Sequence, residues 1–270
     1  MFSRKKEIER LQAENRRLRA AIENKPALPA PARSAEYWYT PTGYSWTLCD
    51  DILSGIHWLI AGTTGCGKST LINSILFSAL MKSPEEVRFI LCDPKRVELS
   101  RYKFLPHTLT YANDVESIIA ALQKAIAIME KRYAIMESAG VQRYSGGPEI
   151  YIVIDEIADL MLSASAKRFT RLLQRLLQLS RAAGIHVILA TQSPARAVIP
   201  AVIQLNCGKV GLRCASAIES RQAIGFPGCE NLPEHGVGYF VAGMKTEKRE
   251  IPLTPPEEIA ERIAFWEAQV

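Results

Sequence analysis

The sequence predicts an α/β protein with a mostly parallel central sheet flanked by helices. Two observations carry this prediction: short runs rich in β-branched residues alternate along the chain with helical patterns, and those runs are apolar throughout rather than at every second position. A strand of that kind is buried on both faces, which requires helices on each side of the sheet. The 270 residues, 48% of them hydrophobic, suffice for one such domain with a sizeable core.

The first 25 residues are predicted to form a short amphipathic coiled-coil helix. Apolar side chains and one Asn recur there at spacings of three and four residues, the a/d pattern of a coiled coil: Ile8, Leu11, Asn15, Leu18 and Ile22. A helix this short is marginal alone, so we expect it to associate with itself or with a protein partner, the alternative being a solvated extension. Prolines then end the helix, and residues 26–35 are interpreted as a linker.

Residues 36–270 are predicted to form the main domain. The aromatic-rich stretch of residues 37–46 is interpreted as an edge strand that opens it, with a base-stacking surface as the alternative. The predicted elements follow in chain order: strand Ile56–Ala61, a helix from Lys68, strand Val87–Cys92, helix Asp114–Ser138, strand Ile150–Ile154, helix Ala166–Ala183, strands Ile185–Ala190, Lys209–Arg213 and Val237–Val241, and helix Pro255–Ala268.

Charge and cysteine content narrow the class of protein. The net charge is +5, but the first 25 residues hold 8 basic and 4 acidic side chains, so the rest is nearly neutral. A nucleic-acid surface in the main domain must therefore come from local clustering of cations. The six cysteines are scattered without a Cys-x-x-Cys pair, which argues against a zinc site or a disulfide framework. With no apolar run long enough to span a membrane, we expect a cytoplasmic protein with reduced thiols.

The strongest motif is a phosphate-binding loop between the first strand and the helix from Lys68. Its spacing is G-x-x-x-x-G-K-[ST], and the expected ATP-binding residues are Gly62, Thr63, Thr64, Gly65, Cys66, Gly67, Lys68, Ser69 and Thr70. Backbone N–H groups at a helix N-terminus surround the β-phosphate, Lys68 bridges the β- and γ-phosphates, and Ser69 ligates Mg²⁺. The Cys66 thiol is interpreted as a tolerated small side chain, with redox sensitivity as the alternative.

Two further strands end in polar residues that suit nucleotide hydrolysis. Asp155 and Glu156 follow an apolar strand, so Asp155 is assigned to the Mg²⁺ water shell and Glu156 to the water that attacks the γ-phosphate. Gln192 follows the next strand and is a candidate γ-phosphate sensor, or else an amide that caps the following turn. Carboxyl ends of parallel strands meet at one end of a sheet, so these side chains are expected near Ser69.

Four sequence motifs together resemble those of the FtsK/SpoIIIE family of DNA translocases, within the FtsK–HerA group of P-loop ATPases. They are residues 59–69, Asp93–Leu99, Asp155–Met161, and Ser180–His186 running on to Pro194, and the similarity covers about residues 54–245. The resemblance implies a RecA-like motor domain that forms a hexameric ring, threads double-stranded DNA through its pore and couples ATP hydrolysis to movement.

The same resemblance suggests residues that act between subunits. Arg181 would reach a neighbour's ATP as an arginine finger, and Arg221 is the second candidate for that role. From the residues alone, Arg181 is equally a cation that stabilises the last turn of a helix.

DNA contacts are expected from flexible loops that carry a cation. Arg143 and Arg196 are the candidates, and each would contact phosphates irrespective of sequence, unless it is simply solvated.

Two alternative functions remain at this stage. One is a packaging or conjugative coupling ATPase of a phage or mobile element, and the other is an ATP-switched assembly scaffold that moves no DNA. The membrane spans and winged-helix module that often accompany the family have no counterpart in this sequence, so we expect a minimal motor.

Overall fold

The structure, a computed structural model, describes residues 47–195 and 198–269. The predicted N-terminal helix, the linker, the aromatic stretch up to Trp46 and the DNA-contact candidate Arg196 lie outside the described residues. The helices and strands alternate as follows: α1 (Thr47–Ile52), β1 (His57–Ala61), α2 (Lys68–Ala79), β2 (Val87–Cys92), β3 (Thr108–Ala112), α3 (Val115–Ala139), β4 (Glu149–Ile154), α4 (Ile157–Met161), α5 (Ala166–Leu179), β5 (Ile185–Thr191), α6 (Ala201–Leu205), β6 (Cys207–Gly211), α7 (Ala217–Ile224), β7 (Val237–Ala242), β8 (Lys245–Glu250) and α8 (Pro256–Glu267).

The eight strands found in the described residues belong to one sheet. Their order is β3-β2-β4-β5-β1-β6-β7-β8, and the pairings from β3 to β6 are parallel, whereas β7 and β8 add antiparallel. The predicted α/β class with a mostly parallel sheet is therefore confirmed. This order brings the carboxyl ends of β2, β4, β5 and β1 side by side, which is where an open parallel sheet binds its ligands.

The central strands are the apolar runs that the sequence predicts. Every residue of β1 and β5 is buried, which requires helices on both faces. On one face, α3, α5 and α6 pack into a single hydrophobic cluster with β1, β2, β4 and β5. Helix α2 contacts both α1 and α8.

Local signals define several helix ends. Helix α3 starts at a capping box, because the Asp114 side chain accepts a hydrogen bond from Ser117 N at 2.9 Å while Ser117 Oγ accepts one from Asp114 N. It ends at Gly140, whose φ of 64° suits a residue without Cβ.

Several predicted boundaries are wrong. The helix predicted to reach Ala183 ends at Leu179, because residues 181–184 form a turn that leads into β5. The strand predicted at Lys209–Arg213 is displaced to Cys207–Gly211, where it pairs in register with β1. Other predicted elements agree to within one residue at either end.

The sheet ends in a charged edge strand. Strand β8 has the sequence KTEKRE, and five of its six residues are exposed. Two ion pairs, Lys245–Glu247 and Arg249–Glu247, run along it.

Candidate nucleotide site

The phosphate loop connects β1 to α2, as the motif predicts. Its glycines satisfy three separate demands of the backbone. Gly65 and Gly67 have φ angles of 79° and 96°, which favour glycine. A Cβ at Gly62 would lie 2.6 Å from Cys66 Sγ and 2.8 Å from Leu212 Cβ, so no larger residue fits without a shift. The sequence spacing thus reflects the geometry of this turn.

The Lys68 ammonium lies inside the loop. Its Nζ donates to the carbonyls of Gly62 at 2.6 Å and Thr63 at 2.8 Å, and burial lowers its pKa. The Cys66 side chain is 3% exposed, and burial raises the pKa of its thiol, which supports the interpretation as a packed residue over a reactive one.

Gln192 contacts the phosphate loop directly. The Thr64 hydroxyl donates to Gln192 Oε1 at 2.6 Å, which joins the carboxyl end of β5 to the loop after β1. The structure therefore brings Gln192 into contact with the phosphate loop, and its role as a γ-phosphate sensor stays a prediction.

The acidic pair lies at the carboxyl end of β4, beside the loop. Burial and then the charges of Asp93, Glu98 and Glu156 raise the pKa of Asp155 to about 6. Such repulsion among carboxylates is relieved by a cation, and oxygen donors are the ligands that Mg²⁺ prefers. Ser69 and Asp155 thus fit the predicted metal role.

Glu156 is held by donors from three strand ends. It is 3% exposed, and it accepts hydrogen bonds from Ala158 N, where it caps α4, and from Gln192 N at 3.2 Å. Its Oε2 also lies 3.3 Å from Lys95 Nζ, so Lys95 belongs to the nucleotide site. The sequence alone does not indicate this contact, because the two residues lie 61 positions apart along the chain.

Glu98 is a site residue that sequence reasoning missed. Its Oε1 accepts a hydrogen bond from Ser69 Oγ at 2.8 Å. In the sequence, Glu98 is indicated solely by its place in the motif Asp93–Leu99, six residues after β2 ends.

Arg181 lies at the amino end of the sheet, away from the phosphate loop. It is exposed in the turn before β5. Burial is the main reason that the pKa of His57, the first residue of β1, is lowered, and the charges of His186 and then Arg181 lower it further. Strand β5 is seven residues long, so Arg181 is about 20 Å from the carboxyl end of the sheet. This distance separates Arg181 from the phosphate loop of its own chain.

Arg143 and Arg221, the other described cations with predicted roles, lie toward different ends of the sheet. Arg143 pairs with Glu149 at 3.6 Å, at the amino end where β4 begins. Arg221 is exposed in the last turn of α7, which follows the carboxyl end of β6. Arg181 and Arg221 are thus not brought together.

A buried arginine fixes the turn that carries Arg181. Arg132, on α3, is 6% exposed and donates to the carbonyls of Ala183 at 2.7 Å, Gly184 at 3.1 Å and Pro148 at 2.6 Å. Its guanidinium also lies 4.4 Å from the centre of the Tyr144 ring. One side chain therefore holds both loops at the amino end of the sheet.

A phosphate loop after one strand and an acidic pair after another, on a parallel sheet with helices against it, define the class of P-loop NTPases. Solved structures of other proteins share the fold. The pCW3 conjugation coupling protein TcpA, in its monomer form with ATPγS, has a TM-score of 0.70 at 23% identity over 80% of this chain and 66% of that one. The cytoplasmic domain of the Thermomonospora curvata type VII secretion ATPase EccC has a TM-score of 0.65 at 23% identity over 78% of this chain and 28% of that one.

Within this class, a model of the FtsK/SpoIIIE family matches residues 45–151 and 142–196. The chain belongs to the FtsK/SpoIIIE family. Its relatives include the DNA translocase FtsK of Rickettsia prowazekii, 35% identical over 79% of this chain and 34% of the relative, and that of Borreliella burgdorferi, 37% identical over 72% and 27%. The chain thus spans about a third of the length of these curated relatives. Among the described residues, no helix is both long and apolar enough to cross a membrane.

Proposed function

We propose that this chain is an ATP- and Mg²⁺-dependent motor that moves double-stranded DNA as a ring of identical subunits. The observation that carries the proposal is the separation of two functions within one chain. The phosphate loop, Asp155, Glu156 and Gln192 gather at the carboxyl end of the sheet, whereas the exposed Arg181 lies at the amino end. In this proposal Arg181 acts on the site of a second copy, as in a ring whose sites lie between subunits.

Each residue at the carboxyl end has a role in this proposal. Lys68 and the loop N–H groups bind the phosphates, and Ser69 and Asp155 would hold Mg²⁺, which would supply positive charge next to the transferred phosphate. Glu156 accepts a proton from the attacking water. Gln192 contacts the γ-phosphate and connects it to the carboxyl end of β5. Arg181 from the neighbouring subunit supplies positive charge as the γ-phosphate leaves.

We propose that this chain has the activity for which its relatives are named, and that it acts on the same substrate. Relatives 35% to 37% identical are named DNA translocases, which supports DNA as the substrate, and we propose that this DNA is double-stranded. We assign the motor to the cytoplasm, where ATP and DNA are present. The proposed DNA contacts are assigned to Arg143, which lies at the amino end of the sheet, and to Arg196, which lies outside the described residues.

The first experiment measures steady-state ATP hydrolysis with and without linear duplex DNA at two salt concentrations. Duplex DNA is expected to stimulate hydrolysis strongly, and the stimulation should fall at high salt because the contacts are to phosphates. Lys68→Ala and Glu156→Gln should both abolish turnover. Hydrolysis that is indifferent to DNA would overturn the translocase in favour of a partner-activated or switch protein, and full turnover in Glu156→Gln would remove the assignment of the base.

A second experiment mixes inactive variants to test the trans role of Arg181. Lys68→Ala retains the finger, Arg181→Ala retains the phosphate loop, and an equal mixture restores about a quarter of the interfaces when assembly is random. Partial recovery of DNA-dependent hydrolysis is therefore expected. The matched control replaces Arg181→Ala by Arg221→Ala. Recovery in the mixture with Arg221→Ala, and not in the mixture with Arg181→Ala, would transfer the role to Arg221. No recovery in either mixture would contradict a shared site.

A further inference from the structure

The segment after β2 positions one carboxylate against the phosphate loop. Arg96 adopts φ of 59° and turns the chain, and the buried Asp93 carboxylate then accepts hydrogen bonds from Val97 N at 3.2 Å and Leu99 N at 3.0 Å. These two N–H groups flank Glu98. Its backbone is thus fixed on both sides by a side chain that is itself fully buried.

Glu98 takes the only proton that the Ser69 hydroxyl has to give. Ser69 Oγ donates to Glu98 Oε1 at 2.8 Å. A serine hydroxyl carries one hydrogen and two lone pairs, so a hydroxyl that donates to Glu98 presents its lone pairs elsewhere. The carboxylate of Asp155 is then left to accept from other donors.

We propose that Glu98 is a positioning residue for Mg²⁺, which it orients through Ser69. Holding the Ser69 hydrogen turns the oxygen lone pairs toward the cation and makes that oxygen a better ligand, as partners of metal-binding side chains do elsewhere. The proposal rests on the proposed function, because it concerns the Mg²⁺ that binds with ATP. It adds a residue from the segment after β2 to a metal site whose other residues, Ser69 and Asp155, follow β1 and β4.

The test separates metal-dependent from metal-independent nucleotide binding. A fluorescent ATP analogue is titrated onto the full chain in EDTA and at increasing Mg²⁺, and the Mg²⁺ concentration at half-maximal tightening is measured. Glu98→Ala is expected to raise that concentration about 10-fold and to leave the affinity in EDTA unchanged. Glu98→Gln keeps an acceptor for the Ser69 hydrogen, so it should lie between Glu98→Ala and the unmodified chain.

A double variant tests whether Glu98 affects Mg²⁺ binding through Ser69. If Glu98 acts through Ser69, the double variant Ser69→Ala/Glu98→Ala should need no more Mg²⁺ than Ser69→Ala alone. Glu116→Ala, an exposed acid on α3, is the matched control and should change nothing.

Three outcomes overturn the proposal. They are an equal loss of affinity in EDTA for both Glu98 variants, a normal Mg²⁺ requirement in Glu98→Ala, and full additivity with Ser69→Ala. Absence of Mg²⁺-dependent binding in the unmodified chain would instead overturn the proposed function itself, and this proposal with it.

Discussion

Arg132→Met tests how the amino end of the sheet is held together. The Arg132 guanidinium makes three hydrogen bonds to backbone carbonyls and is 6% exposed. Methionine keeps most of the apolar stem but supplies no donor, so three carbonyls lose a partner. The loops that carry Arg143 and Arg181 would then no longer be tied to α3.

The expected cost follows from these contacts. Hydrogen bonds from a charged donor contribute about 1.5–3 kcal/mol each, whereas removing a buried guanidinium recovers a desolvation penalty of several kcal/mol. We expect a net loss of about 3 kcal/mol in the free energy of unfolding. With an m value of about 3 kcal/mol/M for a domain of this size, the midpoint of urea unfolding should fall by about 1 M.

Urea unfolding followed by circular dichroism measures this shift. Arg175→Met is the matched control, because Arg175 is 52% exposed and pairs with Glu130 on the surface of the same helical layer. Its removal should cost under about 0.5 kcal/mol. Midpoints that fall equally for the two variants, or by less than about 0.2 M for Arg132→Met, would refute the reasoning that the buried hydrogen bonds dominate.

Three more predictions follow from the site and its surroundings. In EDTA, burial and neighbouring carboxylates raise the pKa of Asp155 to about 6, above its value of 3.8 in the unfolded chain. Ionisation of Asp155 therefore lowers the free energy of unfolding above pH 6 and has no effect on it below pH 3.8. Asp155→Asn should therefore raise the urea midpoint at pH 7.5 and lose that advantage near pH 4; an advantage independent of pH would contradict the assignment. Gly62→Ala should weaken binding of a fluorescent ATP analogue at least 10-fold, since its Cβ meets Cys66 Sγ and Leu212 Cβ, and adding Cys66→Ala should not restore it because Leu212 Cβ remains. Trp266→Phe loses the bond from Nε1 to Leu80 O and should lower stability by about 1 kcal/mol in urea without changing nucleotide affinity, so an altered affinity would count against α8 acting as a structural element alone.

The sequence predicts the phosphate loop well because its requirements are local. Gly62, Gly67 and Lys68 act within one turn between a strand and a helix, and their spacing is visible without tertiary structure. Central strands such as β5 were equally accessible, because burial on both faces makes every residue apolar.

Elements that lack this signal could not be found in the same way. Strand β8 has no apolar residue in KTEKRE, and β3 pairs with β2 through the mixed sequence TLTYA. Both become strands only because a neighbour offers hydrogen-bonding partners. The helix that ends at Leu179 was extended in the prediction because residues 180–183 carry no helix breaker before Gly184.

Site residues that act across the fold were the hardest to predict. Lys95 reaches Glu156 because β2 lies next to β4, and Glu98 reaches Ser69 across the ends of the strands between β2 and β1. The order of strands along the chain contains neither relation. Motif spacing identifies residues on one loop, whereas these pairs depend on the permuted order of the sheet.

The charged strand β8 bears on how copies of this chain can assemble. A sheet that ends in an unprotected strand can grow by pairing with the same strand of another molecule, as in fibrils and domain-swapped dimers. Five exposed, mostly charged residues along β8 discourage that kind of pairing at this end of the sheet. At this edge, copies that associate are thereby directed away from continuation of the β-sheet and toward contacts between helices and loops, which can loosen and re-form without breaking a backbone ladder.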